Sequence, residues 1–243
     1  MQKTIKKFTT DYDSYSIVKE SYNGRPAIML MSSGKIPQSG VGDDDNPEQL
    51  FLYTQRLAEL AIGVKPSSSL VLGGGGFTVP TALARQAGSN VTAVEIDPGL
   101  IGISRDYFDM ASQEEGLSVV VDDAIHFIEK DSSNYDLILV DVFKDRATPD
   151  DLMSPRASAN YKKLLNSGGV LAFNCISRYH THSSTVLKRL IKNLSLEFSN
   201  IQVYPADIHI DKRSDQNLIV VASNSSLDES CQYMQSYPVD VLL

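Results

Sequence analysis

The first alternation of apolar and polar positions is SYSIVKE at Ser14–Glu20. It is followed by Asn23-Gly24, a pair that tolerates positive φ, and by the apolar run PAIMLM at Pro26–Met31, and together these predict a β-hairpin. Ser32–Asp45 contains Gly34, Pro37, Gly40 and Gly42 and ends in three aspartates, the pattern of a solvated loop. A helix is predicted to open at Asn46-Pro47-Glu48, with Asn46 as cap and Pro47 at the first helical position. Leu50, Tyr53, Leu57 and Ala61 then recur at helical spacing, and Gly63 closes the run.

Beyond Gly63 the two periods alternate. Leu70–Leu72, Val91–Glu95, Leu117–Val121, Tyr135–Asp141 and Val170–Asn174 read as strands. The YDLILVD run is nearly continuous in apolar residues, as a strand covered on both faces should be. Between these strands, helices are predicted over Thr78–Gln86, after Asp97-Pro98, over Ala124–Lys130 and over Ser158–Leu165. A further helix carries Val186, Leu187, Leu190, Ile191 and Leu194 on one stripe. Ile201–Tyr204 and Leu218–Ala222 have only a loop between them and should pair antiparallel. The series predicts a doubly wound parallel sheet with an antiparallel edge, preceded by a short β-extension over residues 1–45, with the main domain over 46–243.

Composition narrows the function more than the fold. The 243 residues carry 22 basic and 30 acidic side chains, and the resulting net charge of −8 argues against a nucleic-acid partner. Cys175 and Cys231 lack CxxC spacing, which favours a reducing compartment. No apolar run reaches the ~18 residues that cross a bilayer. A soluble cytoplasmic protein with no membrane partner is expected, and a homodimer is compatible with this picture.

The strongest chemical signal is LVLGGGGF at Leu70–Phe77. Glycines between a strand and a helix let a ligand approach the backbone N–H groups of the helix amino terminus. Glu95 ends the next strand about 20 residues past the first glycine, where an acid can accept ribose hydroxyls; this spacing alone also allows a nicotinamide dinucleotide. Asp123 and Asp141 follow the third and fourth strands, so all three acids should gather at the carboxyl edge of the sheet as an adenosine-binding constellation. His180 and His182, and His209 between Asp207 and Asp211, lack a second pair at metal spacing, and no metal is expected. Cys175 has no evident base and reads as a small buried thiol.

Four stretches carry a more specific likeness: LVLGGGGFTVPTALAR, VTAVEIDPGLIGISRDYF, LSVVVDDAIHFI and YDLILVDVF. Together they resemble the spermidine synthase family, the polyamine aminopropyltransferases, over a span from about Gln38 to the NLIVVAS strand. The resemblance implies a Rossmann-like sheet of the class I S-adenosylmethionine methyltransferase type. It also implies transfer of an aminopropyl group from decarboxylated S-adenosylmethionine to a small amine, without a metal. On that likeness Gly73, Gly74 and Gly75 hold the nucleoside, Glu95 its ribose, and Asp123 the adenine amino group. Gln38 and Tyr53 line the amine side, and Asp141, the first aspartate of the family's D-x-x-D loop, takes the proton of the attacking amine.

Several positions depart from the family pattern. Gly76 stands where the family has an aspartate after its glycines, and Lys144 replaces the second aspartate of D-x-x-D, with Asp145 one position later as a substitute. FNCISRYH replaces a glutamine-containing segment after the fifth strand. These departures suit a divergent, spermidine synthase-like branch and predict weak use of a diamine, more so if Lys144 points inward. They also leave two other readings: methyl transfer from intact S-adenosylmethionine, or a silent homologue that binds nucleoside or polyamine.

Overall fold

The computed structural model describes residues 2–33, 36–43, 49–144, 147–179, 184–228, 230–231 and 234. The hairpin predicted near the amino terminus is the centre of a larger antiparallel sheet, ordered β1 (Lys3–Thr9), β2 (Ser14–Tyr22), β3 (Arg25–Ser32) and β4 (Ile36–Gly42). β4 corrects the expectation of a loop over Ser32–Asp45. Its prolines and glycines carry no strand signal, and pairing with β3 makes the strand. Asp43 is held by Lys19 at 2.7 Å, while Asp44, Asp45 and the predicted helix cap at Asn46-Pro47-Glu48 lie outside the described residues.

The main sheet runs β10 (Asn200–Pro205), β11 (Gln216–Ser223), β9 (Leu165–Ser177), β8 (Tyr135–Val140), β5 (Ser68–Leu72), β6 (Asn90–Glu95), β7 (Leu117–Val121). From β9 to β7 the neighbours are parallel, and β11 and β10 add the predicted antiparallel edge. The chain winds outward from β5 through β6 to β7, then returns to start the other half at β8. The crevice between the ends of β5 and β8 is therefore the topological switch point, where open α/β sheets bind ligands.

One face of this sheet is covered by α1 (Leu52–Val64) and α2 (Thr78–Ala87), whose Leu57, Leu60 and Leu83 pack on Val71, Leu139 and Ile219. The other is covered by α4 (Ala124–Lys130), α5 (Pro155–Leu164) and α6 (Thr185–Leu194), with Ile128, Tyr161 and Leu190 against Ile138, Phe173 and Val220. Gly63 does not close α1. The helix ends two residues later in the left-handed Lys65, and a Cβ at position 63 would lie 2.2 Å from the carbonyl oxygen of Ser230, so a close tertiary approach explains the glycine. Similarly, β9 runs through Gly168-Gly169 with a register shift instead of starting after it.

The two sheets meet across apolar side chains and a polar joint. Tyr15, Ile17, Leu30 and Val41 pack on Leu100, Ile103 and Phe108 of α3 (Gly99–Tyr107) and its C-terminal end. Val18, Met29 and Met31 pack on Leu50 and Phe51 at the entry to α1. Between them, Asp97 is fully buried; it accepts from Thr10 Oγ1 at 2.6 Å and from the Gly99 N–H at 2.9 Å, which caps α3.

Candidate active site

The glycine loop leaves β5 with Gly73 at φ +94° and Gly75 at φ +51°, a left-handed region that favours glycine. A Cβ on Gly73 would lie 2.3 Å from the carbonyl oxygen of Asp141, so the two halves of the sheet touch at the switch point. Glu95, 8% exposed, closes under this loop. Its Oε2 accepts from the N–H of Gly74 at 2.8 Å and of Gly75 at 3.0 Å, and its Oε1 accepts from the Asp97 N–H at 2.9 Å. A carboxylate has about four acceptor sites. Any further donor arriving here would thus exchange with some of these bonds as well as add to them.

Asp123 caps α4, its Oδ1 accepting from the N–H groups of Ile125 and His126 at 2.8 and 3.1 Å. Among the described residues its Oδ2 is uncommitted, at the exposed edge next to Glu95's strand. Beside it His126 Nδ1 sits 2.7 Å from Asp122, which lowers the Asp122 pKa. Two apolar side chains stay open near the ends of β6 and β7, Ile96 at 39% and Val121 at 51% exposure, and the sequence analysis did not single them out. The signal was available: an isoleucine directly after the acid that ends β6.

Gln38, Tyr53 and Asp141 come together across β4, α1 and the end of β8. Gln38 is the extra residue of a β-bulge: Leu30 pairs with Ser39 and Met31 with Pro37. Such a bulge re-aims the strand locally. Tyr53 on α1 donates its hydroxyl to the Gln38 carbonyl oxygen at 3.2 Å. Burial, and then the charge of Asp141, push the Tyr53 phenol well up. Asp141 follows β8, with its N–H donating to the Leu72 carbonyl at 2.9 Å. Burial pushes its carboxyl up to about 6, against the opposing effect of a hydrogen bond from Asn174 Nδ2 at 2.8 Å. Asn174 falls within FNCISRYH, the segment that departs from the family pattern, but was not itself singled out as a site residue.

The departures resolve unevenly. Lys144 is exposed, and its backbone pairs with that of Ala147. Asp145, His180 and His182 lie outside the described residues. At Gly76 the N–H donates to Ser39 Oγ at 2.9 Å, and a Cβ would lie 2.6 Å from that of Ser39, so β4 fills the space an acid would need. Cys175 is buried on the far face of the sheet, its thiol pushed up to about 12 by burial, as expected of an inert packing residue. Exposed His209 donates its N–H to Asp207 in the β10–β11 loop.

A family model described as the spermine/spermidine synthase domain matches residues 50–225. A polyamine aminopropyltransferase from Vibrio vulnificus is 33% identical over 195 residues, 77% of this chain and 64% of that protein, so the chain spans less than two thirds of that relative. An N-terminal histidine N-methyltransferase from Emericella nidulans is 32% identical over 153 residues, 59% of this chain and 27% of that protein. The crystal structure of a probable spermidine synthase from Corynebacterium glutamicum matches with a TM-score of 0.76 at 22% identity, covering 91% of this chain and 80% of that one, which shows a shared fold.

Proposed function

Because this chain belongs to the spermine/spermidine synthase family, we propose that it transfers an aminopropyl group from decarboxylated S-adenosylmethionine to a small amine. The carrying observation is Asp141, a part-buried carboxylate at the switch point with Tyr53 on one side and Asn174 on the other. In this reading Gly73, Gly74 and Gly75 cradle the nucleoside, Glu95 takes the ribose and Asp123 the adenine amino group. Gln38, Tyr53 and Asp145 line the amine side.

The amine nitrogen forms a bond to the terminal carbon of the aminopropyl group while the carbon–sulfur bond breaks. Sulfur keeps the electron pair and leaves as the neutral thioether of 5′-methylthioadenosine. The proton lost by nitrogen passes to Asp141, whose carboxylate is ionised above about pH 6 and within general-base range. The sulfonium is already an activated leaving group, so alignment and proton removal are what the protein must supply.

The same reading treats residues 46–243 as the catalytic unit and 1–45 as an extension packed on it. The protein then acts in the cytoplasm on a small molecule, needs no nucleic acid, membrane or metal, and is free to form a homodimer. Among the described residues no helix is long and apolar enough to cross a membrane. Methyl transfer from intact S-adenosylmethionine is the second reading, favoured by the missing acid at Gly76 and by the likeness to a methyltransferase. Mass spectrometry after incubation with each donor and a panel of amines separates the two. An aminopropylated amine together with 5′-methylthioadenosine is expected; a methylated product with S-adenosylhomocysteine would establish the second reading, and no product from either donor would leave a binding protein.

A further inference from the structure

The turn between β1 and β2 touches the main sheet through one hydroxyl. Thr10 Oγ1 accepts from the N–H groups of Tyr12 and Asp13 at 3.1 and 3.2 Å, so the turn fixes where that oxygen sits. Its single proton goes to Asp97 Oδ2 at 2.6 Å, in preference to the Asp13 carbonyl at 3.3 Å. Gly99 leaves the room for this contact: a Cβ there would lie 2.5 Å from Thr10 Cγ2. Tyr15 of β2 brings a second hydroxyl to the same carboxylate. Burial, then the charge of Asp97 and after it that of Glu95, push the Tyr15 phenol up, so it remains a donor.

Asp97 is in turn tied to Glu95. Its side chain is held at both oxygens, by Thr10 at Oδ2 and by the Gly99 N–H at Oδ1, and this fixes the plane of the peptide that precedes it. The N–H of that peptide donates to Glu95 Oε1 at 2.9 Å, while Glu95 Oε2 accepts from Gly74 and Gly75. Without the Asp97 contact the glutamate would hang by one oxygen and swing about it. A carboxylate held at both oxygens loses no rotamer freedom when a ligand arrives, whereas a swinging one does.

We propose that Thr10 is a positioning residue of the nucleoside site: through Asp97 it aims the Glu95 carboxylate, and so sets how strongly the protein prefers a ribose to a deoxyribose. This deepens the reading above and rests on its assignment of the ribose to Glu95. Thr10 stands 87 residues before Asp97 in the chain and supplies no group to the ligand itself. The extension over residues 1–45 thereby takes part in recognition as well as in packing, because a binding group is only as well aimed as the hydrogen bonds behind it.

Calorimetric titration with 5′-methylthioadenosine and with its 2′-deoxy counterpart reads the ribose preference apart from overall affinity. The unmodified protein should prefer the ribose form about tenfold or more. Thr10→Val keeps the branched shape without the hydroxyl, and Gly99→Ala keeps the hydroxyl but pushes it off Asp97; in each the preference should fall to about threefold or less. Thr10→Ser lacks the methyl group that the new Cβ of Gly99→Ala would strike. It should retain the preference alone and restore it when combined with Gly99→Ala. A joint that only holds the fold together would weaken both ligands equally. An undiminished preference in folded Thr10→Val or Gly99→Ala, or no rescue by Thr10→Ser, would therefore overturn the proposal. Failure of both Thr10→Val and Gly99→Ala to fold would overturn it too, since the contact would then serve folding. No binding of 5′-methylthioadenosine, or no ribose preference in the unmodified protein, would count instead against the reading of the site on which the proposal rests.

Discussion

Asp141 carries opposite demands on stability and on chemistry. An exposed aspartate titrates near 3.9, and burial here pushes it up to about 6. The folded state therefore holds the proton more tightly than the unfolded chain. The sign follows: protonated Asp141 adds to stability below about pH 4, and the contribution is lost as pH rises through about 6. At pH 8 the ionised group costs at most about 3 kcal/mol, less where solvent reaches it. Asp141→Asn should thus raise the melting temperature at pH 8 by up to several degrees and leave it nearly unchanged at pH 4, as calorimetry can read. The same substitution should lower turnover by ~10²-fold or more. In the unmodified protein kcat/KM should rise with pH through about 6, and a flat profile from pH 5 to 7 would remove Asp141 as the base.

Among the elements, β4 shows how packing overrides local signal. Ser39 fills the space beside Gly76, so Gly76→Asp, which would restore the acid that the family resemblance places there, must first push β4 off the glycine loop. Overpacking of this kind costs about 1–3 kcal/mol. Gly76→Asp should melt several degrees lower than the parent, and Ser39→Gly in the same chain should recover part of the loss. A four-member cycle of melting curves measures the coupling, and parental stability in Gly76→Asp would show that the loop yields freely. The strands and helices from β5 to β11 were legible because each has its own period and terminators. β1 was not, since it is a lysine-rich edge strand with only Phe8 partly covered, and β4 was hidden by its prolines and glycines. The acids at strand ends could be placed from spacing alone. Asn174, Ser39 and the bulge at Gln38 could not, because each is defined by a neighbour on another strand or sheet.

At the scale of the molecule, the site is assembled from both sheets: Gln38 and Ser39 from the first, Glu95, Asp141 and Asn174 from the second, and Tyr53 from the helix between them. A ligand that bridges these parts should stabilise the whole fold. At a hundred times its dissociation constant, 5′-methylthioadenosine would add about 2.7 kcal/mol, or roughly 5–10 °C for a chain of this size. Glu95 enters this balance twice. Without ligand its carboxylate holds the N–H groups of Gly74, Gly75 and Asp97, so Glu95→Ala should already melt lower than the parent. With ligand, exchange of those bonds for ribose hydroxyls is lost as well, and affinity should fall tenfold or more. Thermal unfolding with and without 5′-methylthioadenosine separates the two effects, because the first moves the baseline and the second shrinks the ligand-induced rise. A lowered baseline with an undiminished rise would leave Glu95 as a brace of the glycine loop and strip it of the ribose.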